Sequence, residues 1–218
     1  MNPLIPLTHR DVVFVDCESS GMDPYVHEMI EWAAIRMTAD LQTEKGRLEK
    51  KVTMHHPERA EAKALAIVGY TPQEWRHAVP VRVVCVDFAN LIDDDCLVVG
   101  HNPYFDWNFL RAAYVREGLV MPQVRAVLDT ISIAWPLVIA GHCERMGLDN
   151  LCTKYSISNE GKHRAMADVQ RTARLYAKLL GKKEPRFASA FFSAPIAPPP
   201  SASVDPFSCQ ESEPEWAR

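Results

Sequence analysis

The stretch that most constrains this chain is Asp11–Cys17, DVVFVDC, followed directly by Glu18. Val12, Val13, Phe14 and Val15 are apolar at every position rather than at every second one, which is the pattern of a strand covered on both faces. Such a strand belongs in the middle of a sheet, not at its edge. Asp16 and Glu18 stand at its end, two residues apart. Strand side chains alternate, so the two carboxylates share one face and Cys17 takes the other. A pair of this kind can be two solvated acids at a strand end or half of a cation site, and the pair alone does not choose between them.

The remaining pattern predicts strands over Glu28–Thr38, Lys50–His56, Cys96–His101 and Val124–Asp129. It predicts a short helix from Thr71 to Glu74 and longer ones over Val81–Ile92, Tyr104–Glu117 and Ala165–Leu180, with further helix after Asp129 as far as Ile139. Gly118 is the stop of the Tyr104 helix. Strands first, then strands alternating with helices, predict an α/β fold in which a mixed sheet is flanked by helices on both faces. No apolar run approaches the ~18 residues of a membrane span, and the opening MNPLIPLTHRDVV has no secretory pattern. The six cysteines are scattered without a CxxC pair, which argues for a reducing, cytoplasmic setting and against a disulfide scaffold. His142, Cys143, Cys152 and His163 have the spacing of no zinc knuckle, and no phosphate-binding Gly-rich loop occurs.

Residues 1–183 are read as one domain and 184–218 as a Pro-rich acidic tail. The tail holds APPPSAS and no Lys or Arg between Phe187 and Ala217, a composition of extended or disordered chain. It also keeps Phe191, Phe192, Phe207 and Trp216, so it reads either as an untethered terminus or as a tether for a protein partner. The formal charge is −4, but residues 1–183 carry 22 basic and 23 acidic side chains. Cations held by some of those carboxylates would leave the body net positive, so the overall balance does not exclude a nucleic-acid partner.

Three further residues bear on the Asp16–Glu18 pair. Asp106 falls in the first turn of its helix, on the stripe of Phe109, Leu110 and Ala113 that should meet the sheet. Asp168 is likewise in a first turn, beside Ala165 and Val169, and His163 precedes it in the linker KHRAMAD. An acid at a helix N-terminus can be there for the dipole alone. Four acids and a histidine, each at the end of a core element, are harder to explain singly, since buried carboxylates are costly without positive charge. Oxygen-rich ligation without thiolate suits Mg²⁺ or Mn²⁺.

VDCESSGMDP, GHNPYFDWNFL and HRAMAD resemble, in order, the three motifs of the DEDDh 3′→5′ exonucleases, especially the DnaQ-like group of polymerase proofreading subunits. MIEWAAI, ALAIVGYTP, LDTISIAW and GLDNLCTKYSI resemble the segments between them, so that the likeness spans about residues 10–180. The resemblance implies an RNase H-like fold with a five-stranded mixed sheet. It implies that Asp16, Glu18, Asp106 and Asp168 are ligands of two Mg²⁺ (or Mn²⁺) ions, with His163 the general base. In two-metal hydrolysis the ions clamp the scissile phosphate, activate a water and stabilise the leaving oxygen. An imidazole, titrating near neutral pH, is suited to take the water's proton. Ser19, Ser20, Gly21, Met22, Asn102 and Phe105 match positions that line the terminal-nucleotide pocket in the family, although a turn glycine with positive φ and a core phenylalanine would explain Gly21 and Phe105 equally well. Many relatives have Ile-His-Gly where this chain has Ile67-Val68-Gly69, which removes one contact near the substrate end.

The implied activity is hydrolysis of single-stranded DNA or RNA from 3′ ends, releasing nucleoside 5′-monophosphates, by a monomer or a homodimer with no membrane association. The alternative is a catalytically silent module of the same fold that binds nucleic acid or a polymerase. Lys162, Arg164, Arg171 and Arg174 flank the third motif and could grip phosphates or form a solvated helix face.

Overall fold

The apolar run forms β1 (Val12–Ser19), the middle strand of a five-stranded sheet. The computed structural model describes residues 6–188, and the strand order is β3-β2-β1-β4-β5. β2 (Met29–Met37) and β3 (Glu44–Lys51) extend β1 as an antiparallel meander. β4 (Leu97–Gly100) runs parallel to β1, and β5 (Ala126–Asp129) parallel to β4. Parallel neighbours require crossovers, and helices supply them: α2 (Val81–Leu91) precedes β4, and α3 (Pro103–Arg116) joins β4 to β5.

Alternation along β1 divides the core in two. Val13, Val15 and Cys17 face α2 and α3, where they meet Cys85, Phe88, Phe109 and Leu110. Val12 and Phe14 face α6 (Ala165–Leu179) and its stripe Ala165, Val169, Ala173, Tyr176 and Ala177. Phe14 and Tyr176 make an edge-on ring contact with centroids 5.5 Å apart. Two smaller helices, α4 (Thr130–Ile139) and α5 (Leu148–Lys154), pack beside α6 through Ala134, Leu151 and Leu175. The expected mixed sheet with helices on both faces is therefore what the chain builds.

Three local expectations are corrected. The third strand is Glu44–Lys51 rather than Lys50–His56. It is an edge strand in which only Leu48 is buried, so EKGRLEKK shows charge and not alternation. The helix expected at Thr71–Glu74 is a run of turns. The Thr71 hydroxyl does accept the Glu74 N–H at 3.1 Å, as a helix cap would, but no helix follows. A helix lies just before it instead: α1 (Ala62–Val68), closed by Gly69 in the left-handed region at φ +68°.

The lengths of the strands make the site. β4 pairs with β1 only from Val12 to Phe14, so the rest of β1 has an open edge on that side. β4 ends at Gly100, and the chain turns through Asn102, at φ +65°, into α3. A notch results at the carboxyl ends of the parallel strands, the usual place for a ligand in an open α/β sheet.

Residues 184–188 lie against the body. The Arg186 N–H donates to the Leu41 carbonyl at 3.0 Å, and the Arg174 guanidinium sits 5.1 Å from the centre of the Phe187 ring. The proposed tether beyond Ala188 lies outside the described residues. Among the described residues no helix is long and apolar enough to cross a membrane.

Candidate metal centre

Asp16 and Glu18 emerge on the α6 face at the open end of β1, as their spacing requires. Asp168, in the first turn of α6, comes down on them from that face. Asp106 arrives from the opposite side, where α3 packs. It enters where β4 has ended: the Cys17 N–H, on the unpaired edge of β1, donates to Asp106 Oδ1 at 2.7 Å. The missing sheet partner is thus replaced by a carboxylate, which satisfies the backbone donor and brings the third acid to the notch.

Single donor atoms of Glu18, His163 and Asp168 lie within 4.8 Å of one another. His163 is in the loop before α6, at φ +63°. Its backbone N–H donates to Asp168 Oδ2 at 3.1 Å, while Arg171 Nη1 donates to Asp168 Oδ1 at 2.5 Å. Asp168 is thereby fixed through both oxygens, with lone pairs left over for a cation. No hydrogen bond from the described residues reaches the carboxylates of Asp16 or Glu18.

Asp16 and Asp106 are not part of that 4.8 Å group; Asp16 adjoins it along β1, and Asp106 through its bond to the Cys17 N–H. Burial, then the charges of Asp106, Asp168, Glu18 and Glu31, raise the Asp16 carboxyl well above its ordinary range. Glu18 is pushed up to about 8, by burial first and then by Asp168 and Glu31. Asp106 is raised to about 7 by burial, with the Cys17 hydrogen bond opposing. Carboxylates gathered in low dielectric cannot all be ionised without a counter-charge. Oxygen donors, one imidazole and no thiolate (the Cys17 thiol is itself raised by burial and faces the other core) match a hard divalent cation.

The residues matched to the nucleotide pocket divide. Ser19 Oγ donates to the Gly21 carbonyl at 2.6 Å, and Ser20 Oγ accepts the Glu28 N–H at 2.9 Å, so both hydroxyls hold the turn. Met22 is exposed. Gly21 has no positive φ; a Cβ there would lie 2.4 Å from the His27 ring, so close packing and not turn geometry demands the glycine. Asn102 is exposed, with its N–H on Asp129 Oδ1 at 3.1 Å, and the partly buried Phe105 packs on Phe109 with centroids 4.9 Å apart.

Glu31 escaped the sequence reading, and Arg171 has a different role from either one expected of it. Glu31 is a fifth acid, 1% exposed, directly opposite Glu18 in the β1–β2 register. A glutamate inside the apolar run MIEWAAI was the available signal. Arg171 is neither a solvated residue nor a free phosphate grip: it is 2% exposed and holds Asp168, Asp149 and Asn159. Lys162 pairs with Asp149, Arg164 with Glu31 and Glu74, and Arg174 with Glu184.

A family model described as Exonuclease matches residues 13–176. DNA polymerase III PolC-type of Bacillus subtilis is 31% identical over 174 residues, which cover 80% of this chain and 12% of that protein. Ribonuclease T of Buchnera aphidicola is 27% identical over 191 residues, covering 78% of this chain and 83% of the other. Among solved structures, E. coli exonuclease I in complex with a dA16 oligonucleotide aligns with a TM-score of 0.68 at 20% identity, over 80% of this chain and 41% of that one. Cell-death related nuclease 4 aligns with a TM-score of 0.67 at 14% identity, over 80% of this chain and 64% of that one. The fold is therefore the RNase H-like exonuclease fold, and this chain spans only about an eighth of the PolC-type polymerases it matches.

Proposed function

The chain belongs to the DnaQ-like exonuclease family, and from that premise we propose that it is a DEDDh 3′→5′ exonuclease acting on single-stranded DNA or RNA ends, with release of nucleoside 5′-monophosphates. The observation that carries this reading is the grouping of Glu18, His163 and Asp168 within 4.8 Å, with Asp16 two residues from Glu18 on the same strand and Asp106 bonded to the Cys17 N–H between them. Those four acids would hold two Mg²⁺ or Mn²⁺ ions, which when bound supply the charge that neutralises the scissile phosphate and the acidity that activates a water. Asp16 would be held ready for a cation on the strand face it shares with Glu18. Asp106 faces it from the α3 side, and Glu18 and Asp168 from the α6 side. His163 accepts the water's proton as the phosphodiester is attacked, and its loop position keeps the ring beside Glu18 and Asp168. Met22 and Asn102, both exposed, would be free to contact an unstacked 3′ nucleotide.

The names of the relatives point to DNA in one case and to RNA in the other, so both substrates are tested together. A 5′-labelled single strand of each is incubated with Mn²⁺, then with EDTA. A stepwise ladder that stops with chelator is expected, and binding without cleavage would instead support the silent module. Cutting of a circular single strand would point to an endonuclease. We expect Asp16→Ala and Asp168→Ala each to lower the rate more than about a hundredfold, because a lost ligand costs several kcal/mol of barrier. His163→Ala should lose about 10²–10⁴-fold while Mn²⁺ binding, read by calorimetry, is largely kept.

A further inference from the structure

The loop that carries His163 is held at both ends by arginines of α6 or its cap. At its start, Arg171 Nη2 donates to Asn159 Oδ1 at 2.5 Å. At its end, Arg164, the residue before α6, turns away from its own helix. Its Nε donates to Glu31 Oε2 at 3.2 Å, its Nη1 lies 3.4 Å from Glu74 Oε2, and its guanidinium carbon is 5.7 Å from the centre of the Trp75 ring. Trp75 is itself anchored, its indole N–H donating to the Ile30 carbonyl at 2.7 Å. Arg164 therefore ties the loop to β2, the strand hydrogen-bonded to the one that bears Asp16 and Glu18.

His163 at φ +63° is an uncommon conformation for a residue with a side chain, and persists only where its surroundings enforce it. The backbone of His163 is joined to Asp168, and the next residue is joined to Glu31. Glu31, for its part, is a buried acid whose carboxylate has Arg164 as its partner among the described residues. A buried acid with one long-range partner is a costly way to add stability, and is better suited to fixing one arrangement of the chain.

We propose that the Glu31–Arg164 pair is a latch that positions His163. The pair touches neither substrate nor the reacting atoms; it acts by holding the loop so that the imidazole stays beside Glu18 and Asp168. The proposal rests on His163 as the proton acceptor. A rival account of the same contact is electrostatic: Arg164 would only offset negative charge at the metal centre. The two accounts differ in sign. Under the electrostatic account, removing the positive Arg164 strengthens cation binding and removing the negative Glu31 weakens it. Under the latch, both losses free the loop and slow catalysis alike.

The test compares Arg164→Met, Glu31→Gln and the conservative Arg164→Lys. Three quantities are read: amide hydrogen exchange over residues 159–164, calorimetric binding of Mn²⁺ alone, and kcat and KM on a single-stranded oligonucleotide. The latch predicts faster exchange in both Arg164→Met and Glu31→Gln and a fall in kcat of about 10–100-fold in each, part of what a general base contributes. KM and the Mn²⁺ dissociation constant should move less than about threefold, and Arg164→Lys should recover part of the protection and of kcat. Unchanged exchange in Arg164→Met and Glu31→Gln, or Mn²⁺ affinities that shift in opposite directions with kcat following them, would overturn it. Should His163→Ala keep full activity, the general-base reading fails separately, because loop exchange does not depend on the chemistry of His163.

Discussion

Gly21 and His27 are separated by one turn of chain and meet face to face, with no room for a methyl group between them. Gly21→Ala is therefore expected to cost about 1–3 kcal/mol, the range for overpacking a filled site, and to be seen as a lowered denaturant midpoint at unchanged m. The site acids make a second prediction at this scale. With Glu18 raised to about 8 and Asp106 to about 7, and with Asp16 well above its usual range, a cation must displace protons to bind. Calorimetry in buffers of different ionisation enthalpy should show proton release on Mn²⁺ binding near pH 7, and affinity should weaken as pH falls from 8 to 6. Proton-neutral binding would contradict the gathering of acids. The placing of Asp16, Glu18, Asp106 and Asp168 at element ends is legible in the sequence, whereas their proposed roles and that of His163 come from the family resemblance. The inward placing of Glu31 and Arg171 is not legible there, since a charged residue in a pattern reads as surface until its partner is placed.

At the scale of elements, α6 matters most. It lies across β1 and β2 on Ala165, Val169, Ala173 and Ala177, small side chains that let the helix approach closely. Its first turn carries Asp168, so its height above the sheet sets the position of that proposed ligand. Ala173→Leu should destabilise by about 1–3 kcal/mol and also reduce kcat, since the helix must lift or tilt to admit the larger side chain. A stability loss with an unchanged rate would show that the helix start is held independently of its middle. The long helices and the buried strands were legible because their periodicity is strong. β3 leaves no local pattern because an edge strand buries one residue and displays charge, and α1 leaves none because seven residues give too little period to read.

For the molecule as a whole, the clustered acids couple folding to pH. A carboxyl whose pKa is raised on folding binds its proton more tightly in the native state, so its contribution is present below the unfolded pKa and lost as pH rises through the folded one. For Glu18 that window runs from about 4.5 to about 8. The melting temperature of chelated protein should accordingly fall between pH 5 and 8, and the increment gained on adding Mn²⁺ should widen over the same range. A chelated protein equally stable across that range would refute the coupling. By itself the sequence determined the central strand, the two-sided cover of the sheet and which acids stand at element ends, because these follow from local period and residue type. The tertiary structure alone decided that β4 stops short of β1, that Asp106 fills the gap on the Cys17 N–H, and that Glu31 and Arg171 face inward. Those are consequences of strand register and of pairs distant in sequence, and no local pattern encodes the difference in length between two neighbouring strands.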